Sequence, residues 1–215
     1  MTRRQTIDPQ NPDFHVIQEV AACINEGQIV VLPTDTAYGL TGNPSDAKVV
    51  QRILSVKGRA EKLGMPLLAA NLPQVQKLVT LSPRAKAFAA HCWPGAVTII
   101  APSCQVFPPG IIGPDDSLAV RVPNHPVTLE VIRVTGYPII GTSANRSNHA
   151  SPRSADAAAS QLADFVDFIL DGGPTYHSAD STIVNFMVDP PEIIREGAVA
   201  RSDVECWLQV GEKEQ

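Results

Sequence analysis

The chain has 215 residues, 44% of them hydrophobic and 18% charged, with a formal net charge of -5. That length sustains one sizeable core, and the acidic balance argues against a dedicated nucleic-acid surface while leaving room for a local anion site. Four scattered cysteines (Cys23, Cys92, Cys104, Cys206) without a C-x-x-C pair, an N-terminus lacking an apolar leader, and no apolar run near ~18 residues exclude a disulfide scaffold, a thiol redox motif and a helical membrane span; a soluble, cytoplasmic protein is expected.

Phe14, Ile17, Ala21 and Ile24 recur at helical spacing and stop at Gly27, which predicts an amphipathic helix over residues 13–26. "QIVVL" (28–32) reads as a buried strand. Asp46 is placed to cap a second helix carrying Val49, Val50, Ile53 and Leu54 and ending near Gly58. "MPLLAA" (65–70) reads as a strand, 73–79 and 82–92 as helices, and 96–101 and 117–122 as strands. A helix at 126–134 follows, then strands at 138–142, 166–170, 182–187 and 192–195. The alternation implies an α/β fold with a twisted mixed sheet flanked by helices, in one domain over about residues 10–200 with a short tail at 201–215.

The informative polar residues sit where strands end. "PTDT" (33–36) runs straight on from the apolar strand, with Asp35 able to cap a turn, orient an amine or help hold a metal. "VKGR" sets Lys57 and Arg59 on either side of Gly58; two cations so spaced suit an oligophosphate, and equally suit a helix C-terminus whose dipole they complement. "GTSANRS" (141–147) puts hydroxyl and amide groups after an apolar run. Arg121 interrupts "LAVRVP", where alternation does not decide between solvent and a polar cavity; Ser181 and Thr182 precede "IVNF", and Arg195 ends "EIIR". The five histidines show no H-x-x-x-H pair, which argues against a zinc site or a His-based triad.

Taken in order, "PTDTAYGL", "KGR", "WPGAVTII", "LAVRVP", "GTSANRS", "DGG", "DSTIV" and "IIREGA" resemble the YrdC/Sua5 family of threonylcarbamoyl-AMP synthases over roughly residues 14–200. The resemblance implies the YrdC-like fold with a concave substrate cavity, in the short form without the additional Sua5 C-terminal domain. It implies condensation of L-threonine, bicarbonate and ATP to threonylcarbamoyl-AMP and pyrophosphate, for the N6-threonylcarbamoyl modification of adenosine 37 in tRNA. By the family pattern, Lys57, Arg59, Ser143 and Asn145 would surround the triphosphate and carry the chemistry. Ser117, Ser151 and Arg195 would add nucleotide contacts, and Thr34, Arg121 and Ser181 would hold threonine. Mg2+ would accompany ATP, with no metal ligand assigned among the side chains. Implied partners are the downstream threonylcarbamoyl transferase machinery and weakly bound tRNA or double-stranded RNA, with no membrane. The sequence departs from the family at Met65, where a polar residue is common, and at "SADST" (178–182), where Asp180 replaces glutamate. Rival expectations are a YciO-like paralogue, suggested by the "IDPQNPD" opening, and an RNA-binding protein using the same cavity.

Overall fold

The computed structural model describes residues 2–58 and 63–210, the last without its side chain. Helix α1 (Phe14–Asn25) begins where the Asp13 carboxylate accepts the His15 N–H at 2.9 Å, and it buries Val16, Ile17, Val20, Ala21 and Ile24. Helix α2 (Ala47–Lys57) begins at Asp46, whose carboxylate accepts the Lys48 N–H at 2.8 Å. It ends at Gly58, left-handed with φ of 60°, so that Lys57 occupies the last helical position. Helices α3 (Leu72–Val75), α4 (Pro83–Cys92), α5 (Pro126–Thr135), α6 (Ala155–Leu162) and α7 (Arg201–Val210) complete the set.

The strands divide into two mixed sheets, a partition that strand periodicity does not reveal. One has β1 (Arg3–Thr6), β9 (Phe168–Asp171), β2 (Val30–Leu32), β3 (Gly39–Thr41) and β8 (Thr142–Ser143) in that order. The other runs β11 (Glu192–Arg195), β10 (Thr182–Asn185), β5 (Val97–Pro102), β6 (Ser117–Arg121), β4 (Leu67–Leu68), β7 (Ile139–Ile140). Burial on both faces explains the unbroken apolar run at β2. Ile29 and Val31 join the main core with Leu67, Val97, Ile99 and Val120 of the second sheet, while Val30 and Leu32 pack with residues of α1 and α5.

Residues 201–210, expected as part of a tail, instead form α7. Its Val204 and Leu208 belong to the main core, and Trp207 meets Phe88 of α4 edge-on with ring centroids 6.2 Å apart. Val204 and Leu208, four apart, are a helical signal that this short stretch repeats only once.

Helix α5 follows His125, an N-cap residue with no side-chain cap bond and a buried Nδ1 without a partner among the described residues. Burial pushes the imidazole pKa from 6.5 down to about 4, with Asp35 opposing the shift. On acidification the unfolded chain protonates this group first, so stability is lost as pH falls from about 6.5 towards about 4. His125→Asn, which supplies a capping oxygen and no titrating group, should flatten that decline by on the order of 2 kcal/mol. Denaturant melts at neutral and at mildly acidic pH check it.

Candidate functional site

A cavity of about 250 Å³ opens between the two sheets. Its walls are the turn leading into β3, one face of β5 and of β6, the Gly141–Ser143 segment and residues of the Asp180–Ile183 stretch. Two glycine contacts hold this shape. A Cβ at Gly141 would lie 2.3 Å from the Leu68 Cγ, and one at Gly197 would lie 2.2 Å from the Asp180 carbonyl oxygen. The walls therefore approach closely only because side chains are missing there.

Arg121 ends β6 on the same face as Ala119, and both line the cavity. Its guanidinium is held on three sides: Nε donates to the Gly95 carbonyl at 2.8 Å, Nη1 to the Thr36 hydroxyl at 2.7 Å and Nη2 to the Asp35 carboxylate at 2.5 Å. Arg121 and Asp35 are both almost fully buried, at 5% and 3% exposure. Burial pulls the guanidinium pKa down and the Asp35 charge draws it back, so the side chain remains a cation. The strand arginine thus points into the cavity.

Thr34 lines the same wall, but its hydroxyl is committed to the turn. It donates to the Ala37 carbonyl at 2.6 Å and accepts the Thr36 and Ala37 N–H groups at 3.1 and 3.2 Å. Its contribution is to shape the loop that presents Asp35 and Thr36. Ser181 faces the opposite wall, its hydroxyl 2.9 Å from that of Thr98. Thr98 lines the cavity too, a position the sequence hid inside an apolar strand, where threonine is common for its β-branched shape.

Behind the Ser143 wall, α2 delivers Lys57 to the "SAN" loop. The Lys57 ammonium donates to the Ser143 carbonyl and the Asn145 Oδ1, each at 2.7 Å, and lies 3.3 Å from the Ser143 hydroxyl. That hydroxyl in turn donates to the Asn145 Oδ1 at 2.6 Å. The Asn145 amide anchors on the His149 carbonyl. Lysine, serine and asparagine, 86 and 88 residues apart in sequence, are thereby one polar cluster, and Ser143 connects it to the cavity wall. Arg59 lies outside the described residues.

A second cluster gathers on Asp180. It accepts from Ser151 at 3.0 Å and Arg153 at 2.8 Å, with an Arg195 nitrogen at 3.9 Å. Arg195 donates to the Ser181 carbonyl at 2.8 Å and lines the cavity. Arg153 was not singled out in the sequence, because an arginine in "SPRSAD" looks like any surface-loop cation. Its second bond, to the Thr36 carbonyl, brings it to the cavity turn.

Of the residues singled out in the sequence, Thr34, Arg121, Ser143, Ser181 and Arg195 line one cavity, with Lys57 and Asn145 joined to it through Ser143 and Ser151 through Asp180. Ser117 stands apart. It begins β6 on the face shared by Ala119 and Arg121, roughly 13 Å along the strand from Arg121 and outside the cavity walls. Met65, 1% exposed, is part of the core and not of the wall, which is made there by Gly64, Pro66 and Leu68. Among the described residues no three His, Cys, Asp or Glu groups converge as a metal cage.

The arrangement offers a buried guanidinium in the cavity wall and, behind Ser143, a buried ammonium bonded to a hydroxyl and an amide. The terminal nitrogens of Arg121 can receive an anion in the cavity, and the Lys57 charge adds positive potential beside Ser143.

A family model named Sua5_yciO_yrdC, described as "Telomere recombination", matches residues 22–197. The threonylcarbamoyl-AMP synthase of Bacillus subtilis (strain 168) is 34% identical over 206 residues, covering 94% of this chain and 58% of that protein. The crystal structure of P. abyssi Sua5 complexed with L-threonine superposes with a TM-score of 0.91 at 32% identity, over 96% of this chain and 61% of that one. The chain thus spans about six tenths of the length of these two proteins. The crystal structure of E. coli YciO superposes with a TM-score of 0.87 at 22% identity, over 95% of this chain and 99% of that one, a likeness of fold.

Proposed function

Since the chain belongs to the Sua5/YciO/YrdC family, we propose that it is an L-threonylcarbamoyladenylate synthase acting in tRNA modification in the cytoplasm. The observation that carries the proposal is the pairing of two cations on one cavity: Arg121 in its wall, and Lys57 bonded with Asn145 behind Ser143, which lines it. A relative crystallised with L-threonine supports threonine as a ligand, and the carboxylate-matching guanidinium of Arg121 is the reason for seating it at the floor.

Threonine and bicarbonate form a carbamate with loss of water. A carbamate oxygen attacks the α-phosphorus of ATP, and the bond from that phosphorus to the β-phosphate bridging oxygen breaks, releasing pyrophosphate. The nucleophile belongs to the substrate, which accounts for a site built of positioning groups. Arg121 grips the threonine carboxylate. The Thr98–Ser181 hydroxyl pair lies where the small polar side chain can be read. A cavity of about 250 Å³ suits the amino acid, so the nucleotide extends over Ser143 towards Lys57 and Asn145, with Arg195 and Ser151 alongside and Ser117 further along β6; the family pattern adds Arg59 to this set. Positioning and charge neutralisation supply the rate, as in other phosphoryl and nucleotidyl transfers. Mg2+ enters on the phosphates as part of the nucleotide substrate. The adenylate passes to a threonylcarbamoyl transferase; weak binding of tRNA is a subsidiary part of this reading.

The test is product formation with purified protein, MgATP, bicarbonate and labelled threonine. Threonylcarbamoyl-AMP should form only when all three substrates are present. Pyrophosphate release at an equal rate without threonine would overturn the assignment and favour a paralogue of other activity.

A further inference from the structure

Asp35 and Thr36, the "DT" of "PTDT", flank the Arg121 guanidinium. An arginine has five N–H donors. Three are bonded, to Gly95, Thr36 and Asp35, which leaves one on each terminal nitrogen of a side chain that lines the cavity. Two N–H groups on adjacent terminal nitrogens form the fork that matches a carboxylate bidentately. Which way the fork faces is set by the other three bonds. Of these, the Gly95 carbonyl fixes the stem, while Thr36 and Asp35 fix the two terminal nitrogens.

We propose that Asp35, assisted by Thr36, is the residue that positions the Arg121 fork for the amino-acid carboxylate, and so sets threonine affinity without touching substrate. The inference rests on the reading of the cavity floor as the threonine site. Three observations carry it. Asp35 is nearly fully buried yet absent from the cavity walls, so it acts through Arg121. Its Oδ1 lies 2.5 Å from Nη2, and its Oδ2 is buried without a partner among the described residues, so no other described group competes for this carboxylate. Its backbone carbonyl accepts the His177 N–H at 2.9 Å, which pins the turn from the other side. A carboxylate left with one free oxygen is an uneconomical way to fill a core and is suited to holding a cation in place.

Asp35→Asn retains the shape and an accepting oxygen but removes the charge; Thr36→Val removes the Nη1 acceptor and leaves the charge. Each variant is titrated with threonine by calorimetry and in the adenylate assay at saturating ATP and bicarbonate. Asp35→Asn should raise the threonine Kd and KM about tenfold or more, with kcat at saturating threonine and the KM for ATP within about twofold of wild type. Thr36→Val should do the same to a smaller extent. A merely structural role would lower the active fraction and Tm without separating the threonine KM from the ATP KM. If both folded variants bind threonine as wild type does, the proposal is wrong. If Asp35→Asn does not fold, Thr36→Val decides it by the same comparison. Failure of the wild-type protein to make adenylate would instead overturn the synthase reading, because calorimetric threonine affinity tests the fork independently of turnover.

Discussion

Lys57→Ala will depress adenylate formation by roughly ten- to a hundredfold, mainly through weakened use of ATP. The figure follows from a charged hydrogen bond to phosphate contributing about 1.5–3 kcal/mol, provided the bond persists in the transition state. The same substitution has a structural cost, because Lys57 is 5% exposed and donates to the Ser143 carbonyl and Asn145 Oδ1. Leaving those acceptors without their cation should lower stability by about 1–3 kcal/mol. Lys57→Met retains most of the volume and isolates the loss of charge. ATP and threonine titrations, with thermal melts of each variant, separate the two effects. An unchanged ATP requirement and rate in folded Lys57→Met would return Lys57 to the role of a cation matching the α2 dipole.

Arg121→Ala is expected to be the most damaging change in the molecule. It removes the floor cation and leaves the Asp35 carboxylate buried at 3% exposure with no opposing charge in contact among the described residues, a situation that costs about 3–5 kcal/mol. Threonine should then be required at concentrations at least a hundredfold higher, while ATP affinity changes little. Arg121→Lys should recover part of the stability, since an ammonium can still meet Asp35, but little of the threonine affinity. It cannot bond Gly95, Thr36 and Asp35 together and still offer two parallel N–H groups to a carboxylate. The comparison needs circular dichroism and melting curves to establish that the variants are folded. An Arg121→Lys protein with wild-type threonine dependence and weakened ATP binding would mean that the two anion sites have been exchanged.

Much of the frame was legible because it is encoded locally. The Asp46 cap, the apolar stripe of α2 and the Gly58 stop lie within one short stretch, and together they fix where Lys57 falls. Strands β3 and β8 were not legible. They are two or three residues long, and what makes them strands is pairing of Gly39 with Ser143 and Leu40 with Thr142, contacts between segments far apart in sequence. β1 was hidden for another reason. Its "RRQT" has the composition of an exposed tail, yet it pairs in parallel with β9, and Arg4 bonds Asp156 and Asp171 at 2.6 Å.

The candidate site divides in the same way. Residue types and their order pointed to Arg121, Lys57, Ser143 and Asn145, but alternation left open which way Arg121 faces. Its direction is decided by Asp35, 86 residues away. Thr34 illustrates the converse. Its place at the strand mouth was readable, whereas the use of its hydroxyl inside the turn depends on backbone geometry that composition does not carry. Arg153 and Thr98 gave no local signal, since each looks ordinary in its own segment and gains meaning only from the cavity it faces.

The most direct test of the central claim, that one cavity seats an amino acid at its floor and a nucleotide at its rim, is a crystal structure with L-threonine and a non-hydrolysable MgATP analogue. The account predicts the threonine carboxylate on the Arg121 fork, its side chain towards Thr98 and Ser181, and the triphosphate beside Lys57, Ser143 and Asn145, with the α-phosphorus nearest the threonine nitrogen. A triphosphate seated on Arg121, or threonine bound outside this cavity, would contradict it.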